Sequence, residues 1–395
     1  MNSTFPGSYD FLAPERIVFG WGRWREVGPL AARLGRRAFV VVGSRTLEKT
    51  GLIDELHQVL REHRVEPVHL ATVTGEPTVG DVDRLSGLCR EHAPRQGDLV
   101  IALGGGSAID LAKAVAALAT NTAGSTVRDY LEGVGSGMML TERPLPVVAL
   151  PTTAGTGSEA TKNAVISVDS PNVKKSLRDD GMIPRVVIVD PQLAVSLPPA
   201  ITAQTGMDAI TQLIESYISR KAKPIPQALA AHGLRLALPA IVRAVEDGNA
   251  RGARAAMAHA ALLSGMALAN SGLGMAHGVA AALGVHCGMA HGLACAVMLP
   301  VALEANRQSS QRELAALART ALGVGNVGDE RAVEMLVERI DDIGRAIGVP
   351  QRLSEVGVRR EQIASLVRDS RGNSMDGNPR SLSDEELARL LEARL

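Results

Sequence analysis

Asp208 and Gln212 stand four residues apart in Gly206-Met207-Asp208-Ala209-Ile210-Thr211-Gln212. Two glycine-flanked histidines follow: His277 in Gly274-Met275-Ala276-His277-Gly278, and His291, fourteen residues later, in Met289-Ala290-His291-Gly292. A carboxylate, a side-chain amide oxygen and two imidazole nitrogens are donors that can hold a divalent cation. The i,i+4 spacing puts Asp208 and Gln212 on one helix face, so the four residues read as the corners of a metal site between helices. Each also has a plainer reading. Asp208 suits the N-terminal charge of a helix starting near Gly206, and a single histidine on an alanine-rich helix is more often a hydrogen-bonded core residue. His57, His63, His69 and His92 have no partner spacing and carry no assigned function.

A second kind of chemistry is written upstream. Leu99-Val100-Ile101-Ala102-Leu103 runs into Gly104-Gly105-Gly106-Ser107, and a helical pattern opens at about Ala108. A strand, a glycine turn and a helix N-terminus in that order let backbone amides approach a pyrophosphate, with the helix dipole favouring its charge. Asp110, in the first turn, can accept nearby backbone N–H groups or orient a cofactor. The plainer reading is a tight turn with close helix packing. Pro151-Thr152-Thr153-Ala154-Gly155-Thr156-Gly157-Ser158-Glu159 follows a second buried strand and suits phosphate, ribose or amide contacts. Two such loops at strand C-termini define a ligand crevice of an open α/β sheet.

Those loops require a particular scaffold. Ala38–Val42, Val68–Val73, Leu99–Leu103, Val147–Leu150, Ala164–Ile166 and Val186–Val189 are short apolar runs, and Leu52–Leu60 has helical spacing. Continuous apolar strands alternating with helices predict a parallel sheet covered on both faces. Beyond Ile201 nearly every segment reads as helix. The expected organisation is therefore an α/β dinucleotide-binding domain over residues 1–195 and an all-α domain over 196–395. The 395 residues suffice for two cores. Lysine and arginine balance aspartate and glutamate at 42 each, so no net field attracts nucleic acid or an anionic bilayer. Aromatic residues, at 2%, are too few for base-stacking platforms. Cys89, Cys287 and Cys295 are scattered and odd in number, which gives no disulfide framework. Met1 to Pro6 lacks the pattern of a secretory signal, and the apolar stretch around 255–303 reads as buried helices rather than membrane spans. The expectation is a cytoplasmic enzyme with a small-molecule substrate and no nucleic-acid or membrane partner.

Gly-Gly-Gly-Ser-Ala-Ile-Asp, Pro-Thr-Thr-Ala-Gly-Thr-Gly-Ser-Glu, Gly-Met-Asp-Ala-Ile-Thr, the two glycine-flanked histidines and Gly377-Asn378-Pro379-Arg380 resemble, in order and spacing, the iron-containing (group III) alcohol dehydrogenase family. The resemblance spans roughly residues 10–385. It implies a dehydroquinate synthase-like architecture, an NAD(P)-binding N-terminal domain, a helical domain carrying a divalent metal (iron or zinc), and a cleft between them. By position it makes Gly104, Gly105, Gly106 and Ser107 pyrophosphate contacts, Thr152, Thr153 and Thr156 the loop around pyrophosphate and nicotinamide, and Lys174 a lysine near the cofactor. Asp208, Gln212, His277 and His291 fall on the four metal-ligand positions. By analogy with relatives, a homo-oligomer, dimer or larger, is expected.

Two positions depart from the family pattern. Histidine is expected where Gln212 stands, and a neutral amide is a poorer ligand than imidazole for iron or zinc. Ala281 stands where many relatives carry a proton-relaying histidine; nearby His286 occupies a position that is usually apolar and reads as structural. Relatives using NAD often carry an aspartate after the first strand. Here Gly43-Ser44-Arg45 puts Ser44 at the ribose position beside a guanidinium, which tolerates the 2′-phosphate of NADP unless Arg45 merely ends an exposed turn.

The chemistry so implied is hydride exchange between nicotinamide and an alcohol or its aldehyde or ketone, with Asp208, His277 and His291 holding the electrophile. In a metal-free version Lys162 or Lys174 would have to stabilise the alkoxide. The basic run Lys162, Lys174-Lys175 and Arg178 suits a carboxylate-, phosphate- or phosphonate-bearing aldehyde, or is simply a solvated hairpin. The alternatives are a nucleotide-binding protein without catalysis, a maleylacetate reductase-like enzyme and, disfavoured by the intact Pro-Thr-Thr loop, a lyase of the dehydroquinate synthase kind.

Overall fold

A computed structural model describes residues 8–170 and 172–395; Met1 to Pro6 lie outside the described residues. Segments rich in β-branched apolar residues form β1 (Arg16–Phe19), β2 (Arg37–Gly43), β3 (Glu66–Val73), β4 (Asp98–Gly104), β5 (Val147–Pro151), β6 (Asn163–Val168) and β8 (Val186–Val189), and the more polar Val173–Arg178 forms β7. Six of them make one sheet in the order β1-β8-β5-β4-β2-β3, with every neighbouring pair parallel. Parallel strands need crossovers, and the intervening helices bury both faces of the sheet. Phe39, Val41, Val100, Ala102, Val147 and Ala149 pack in one core, while Ala38, Val40, Val42, Leu99, Ile101, Leu103, Val148 and Leu150 pack in another. The side chains thus alternate between two buried faces, as the period of a strand requires.

One strand expectation changes, and one strand of the sheet was not expected. Ala164–Ile166 does not join the parallel sheet; it lies in β6, which pairs antiparallel with β7 in a separate two-stranded ribbon. A short apolar run has no signature of its partner's direction, and β7, with Lys174, Lys175 and Ser176, supplies a polar neighbour. β1 is an edge strand of four residues beginning with exposed Arg16 and Ile17, too short to stand out by pattern.

The chain divides into two units. Ala13–Thr153 and Ser158–Ala194 form the α/β unit. Val195–Leu395 form the helical unit, joined by Ala154–Gly157 and by the described N-terminal residues through Leu12. The expected division at 195/196 therefore misses two short excursions, one of them inside the threonine-glycine loop.

In the helical unit, helices Pro199–Ile218, Pro224–Glu246 and Arg251–Asn270 share a core with Gln311–Leu322 and Asp329–Ala346. Helices Met275–Cys287 and His291–Asn306 share a second core with C-terminal segments. Pro224–Glu246 is long and apolar enough to cross a membrane by length and composition. It buries Ala230, Leu234, Leu238 and Ile241 in the first core.

Candidate active site

In the α/β unit the chain leaves β2 toward β3 on one side and leaves β4 toward β5 on the other. The order reverses between β2 and β4, and their C-terminal ends are where an open α/β sheet binds its ligand. Gly43 and Gly104 stand at those ends. A Cβ on Gly104 would lie 2.8 Å from the Gly43 nitrogen and 2.7 Å from the Ala108 Cβ, so only glycine allows the strands and the following helix this close. Gly105 caps helix Gly106–Leu118 with no side-chain hydrogen bond, leaving the helix N-terminus to an anion. The Thr152 amide donates to the Gly104 carbonyl at 2.9 Å, and the Thr153 side chain lies over Gly105. Ser44 follows β2 in the left-handed region, at φ 67°, an uncommon conformation for a non-glycine residue, and its amide donates to the Val73 carbonyl at 2.8 Å. This cradle fits a dinucleotide pyrophosphate.

Asp110 turns away from the glycine turn into its own unit. Its carboxylate accepts the Val165 amide at 2.9 Å and the Ser158 hydroxyl, and pairs with Lys113 at 3.0 Å. Lys113 is fully buried and donates to Ser158 and Thr161 oxygens. Burial lowers its pKa, with Asp110 and Glu159 opposing. Asp110 and Lys113 therefore tie the helix to the segment after the threonine loop.

In the helical unit, Asp208 and Gln212 lie on buried turns of helix Pro199–Ile218. His277 lies in the first turn of helix Met275–Cys287, and His291 begins helix His291–Asn306. Gly292 lets that helix start close to Pro199–Ile218: a Cβ there would meet the Gln204 carbonyl oxygen at 2.5 Å. Asp208 Oδ1 lies 3.2 Å from His277 Nε2 and 3.9 Å from His291 Nε2, and the two rings are 5.5 Å apart. Cys295, one turn beyond His291, puts its sulfur 3.7 Å from His291 Nε2. Ligand atoms of Asp208, His277, His291 and Cys295 all lie within 4.8 Å of one another.

Glu215 orients this cluster. One carboxylate oxygen accepts the Gly274 amide at 3.0 Å and faces His277 Nδ1 at 2.7 Å; the other accepts the Ala276 amide at 2.7 Å. Asn378 Oδ1 accepts the Met275 amide between them. A carboxylate at a helix N-terminus is favoured by the dipole, and its contact with His277 assigns the Nδ1 proton to that side. Nε2 therefore faces the Asp208 carboxylate as a lone pair that needs a cation between them, either a proton or a metal. With two imidazoles and a buried carboxylate converging, the donor set fits a divalent cation.

Without one, the cluster takes up protons. Burial and the charge on Asp208 oppose each other, and its pairing with His277 and His291 prevails and holds its pKa down. Burial disfavours His277 cation formation, but Cys295, Asp208 and Glu215 raise its pKa well above the ordinary value. The sulfur of Cys295 is the main cause raising His291 to about 8.

Residues 14–191 match the family model described as iron-containing alcohol dehydrogenase, and residues 202–395 match that of the Fe-containing alcohol dehydrogenase family, C-terminal. The chain belongs to the iron-containing alcohol dehydrogenase family. Long-chain-alcohol dehydrogenase 1 of Geobacillus thermodenitrificans is 35% identical over 91% of each chain. The solved structure of a 1,3-propanediol oxidoreductase superposes with a TM-score of 0.91 at 31% identity, covering 98% of this chain and all of the other. A sulfoacetaldehyde reductase from Bifidobacterium kashiwanohense, in complex with NAD+, gives 0.88 at 30% identity over 98% and 99%. The family makes this an alcohol dehydrogenase; the family itself is NAD(P)-dependent and usually binds a divalent metal.

The remaining sequence candidates are placed as follows. Gly106 and Ser107 open the helix after the glycine turn. Lys162, just before β6, pairs with Asp180 at 2.7 Å; on β7, Lys174 pairs with Glu76 at 2.6 Å and Arg178 with Glu132. Lys162, Lys174 and Arg178 of the basic run are thus matched by carboxylates, while Lys175 makes no such pair among the described residues. The Thr156 carbonyl accepts from the Gln212 amide at 3.2 Å. Ala281 lies one turn beyond His277, and His286, in the last turn of the same helix, makes a 2.6 Å pair with Asp369. The Arg45 side chain lies outside the described residues. Sequence reasoning missed Glu215, although it shares a helix face with Asp208 at i+7, and Cys295, although it stands at i+4 from His291.

Proposed function

We propose that this dehydrogenase interconverts a small alcohol and its aldehyde or ketone, with Asp208, His277 and His291 forming the electrophilic centre and Gly104, Gly105, Gly106 and Ser107 binding the pyrophosphate. The observation that carries the reading is the buried Asp208–His277–His291 cluster with His277 oriented by Glu215. When bound, the divalent cation supplies electrophilic polarisation of the substrate oxygen, and the nicotinamide exchanges the hydride. Asp208 contributes the anionic oxygen that balances a cation in a buried setting. Glu215 holds the Nδ1 proton of His277, keeping Nε2 available. His291, with 37% of its side chain exposed, forms the open edge where substrate reaches the cluster. Thr152 and Thr153 line the glycine turn on the cofactor side, and Thr156, through its carbonyl, steadies Gln212. Ser44 puts no carboxylate against a 2′-phosphate, so the reading includes NADPH as well as NADH.

The finer part of the proposal is an anionic aldehyde, supported by the likeness to a sulfoacetaldehyde reductase rather than by the ribbon's paired lysines. A cytoplasmic homo-oligomer completes it, testable by sedimentation against the 41.4 kDa chain. The deciding experiment follows NADH and NADPH oxidation over neutral and carboxylate-, sulfonate- or phosphonate-bearing aldehydes. Oxidation with at least one aldehyde is expected, with higher kcat/KM for the anionic ones. Equal values for both classes would remove the anionic preference. Cofactor binding with no aldehyde-dependent oxidation would leave a nucleotide-binding protein instead.

A further inference from the structure

Gln212 stands where the family pattern calls for a metal-binding histidine, yet its amide is turned the wrong way to replace one. Its Nε2 donates to the Thr156 carbonyl at 3.2 Å and to Asp208 Oδ1 at 3.2 Å, while its Oε1 accepts the Ser264 hydroxyl at 2.7 Å. Rotating the amide by half a turn would set its oxygen against two groups that can only accept. The face Gln212 shows to Asp208 is therefore an N–H donor with no lone pair, and three donors of the expected four remain.

A fourth is at hand on a different helix. Cys295 is fully buried, and its sulfur lies 3.7 Å from His291 Nε2, within the group of four ligand atoms that span no more than 4.8 Å. Zinc bonds of about 2.0–2.3 Å in tetrahedral array place ligand atoms about 3.3–3.8 Å apart. The observed separations of 3.2, 3.7 and 3.9 Å bracket that range. The i,i+4 step from His291 to Cys295 puts both donors on one helix face, opposite Asp208 and His277 on two others.

We propose that Cys295 is a metal ligand in this chain, taking over the role vacated at Gln212, so that the metal set is Asp208, His277, His291 and Cys295. Gln212 is a positioning residue that holds Asp208 by donating to it. On binding, the metal displaces the thiol proton to solvent, and the thiolate completes the set; no redox change is involved. A thiolate is a softer donor than the imidazole it replaces and shifts preference from iron(II) toward zinc(II). The inference rests on the proposed metal-dependent reading, and the test separates the two.

Metal-stripped protein is titrated with cobalt(II), and its absorption is compared with that of C295S, C287S and H277A. The expected result is one equivalent bound with a near-ultraviolet sulfur-to-cobalt charge-transfer band, present in C287S and absent in C295S. The Kd of C295S should rise by more than the ~10–100-fold that loss of an outer partner costs. One equivalent bound to the wild-type protein without that band, or with a band that survives in C295S, overturns the ligand role of Cys295 while leaving the other three ligands standing. Because the first of these is read on the unaltered protein, it holds even if C295S folds poorly. Failure of the wild-type protein to bind cobalt more tightly than H277A overturns both the inference and the metal-dependent reading beneath it.

Discussion

Replacing Glu215 by glutamine changes one buried oxygen to NH2 and leaves the volume almost unchanged. The carboxylate accepts three N–H groups, from Gly274, Ala276 and His277, and an amide can satisfy only part of that demand. If its oxygen keeps Gly274 and His277, its NH2 faces the Ala276 N–H, and two donors are left without acceptors; the opposite rotamer orphans Gly274 and His277. Hydrogen bonds to a charged group contribute about 1.5–3 kcal/mol each, and an orphaned buried donor costs about 1–3 kcal/mol. A loss of about 2–4 kcal/mol in the helical unit is therefore expected. The same change weakens the hold on the His277 tautomer, and loss of such an outer partner lowers metal affinity ~10–100-fold. The assay is metal competition against a calibrated chelator, run beside thermal unfolding of the metal-free protein. E215Q with metal affinity within threefold of the parent would refute the claim that Glu215 sets the ligating nitrogen of His277, even if its unfolding temperature fell.

Gly104→Ala should abolish tight dinucleotide binding, because its Cβ would sit 2.8 Å from the Gly43 nitrogen and 2.7 Å from the Ala108 Cβ; overpacking of that kind costs about 1–3 kcal/mol, and unchanged NADH fluorescence titration would contradict it. Glu159 is buried, and its burial raises its pKa to about 7 against 4.5 for the free group. A raised folded-state value means stability fully present below pH 4.5 and lost as pH rises through 7. At about 1.4 kcal/mol per unit this amounts to roughly 3 kcal/mol, so E159Q should unfold at a higher temperature than the parent at pH 8 and show a flatter pH profile. Parallel profiles for the two proteins would refute the assignment.

The α/β unit was largely legible because its buried strands are built on unbroken apolar runs, three of which end in Gly43, Gly104 and Pro151, a pattern set by local residue type. The exceptions are instructive. Ala164–Ile166 has the composition of a parallel core strand, but its partner is the polar segment Val173–Arg178, and pairing direction is a property of the partner. The excursion at Ala154–Gly157 was invisible for a related reason, since it depends on packing rather than on composition. In the helical unit the spacing of Asp208, His277 and His291 marks the place of the site in the sequence itself. The orientation of the Gln212 amide does not, because it is decided by Thr156 and Ser264, more than fifty residues away on either side. Asp110 likewise sits at a cofactor-like position, yet Lys113, Ser158 and Val165 claim its carboxylate. Cys295 lay in plain view one turn from His291, but disulfide arithmetic alone assigns such a residue no role.

The most direct test of the account is to measure metal content and NAD(P)H-dependent aldehyde reduction in the same preparation, before chelation, after chelation and after return of zinc(II) or iron(II). Close to one equivalent of metal per chain is expected, with turnover lost on stripping and restored on addition, and with neither seen in D208N. Full turnover in protein holding less than about a tenth of an equivalent would contradict an electrophilic centre built from Asp208, His277 and His291.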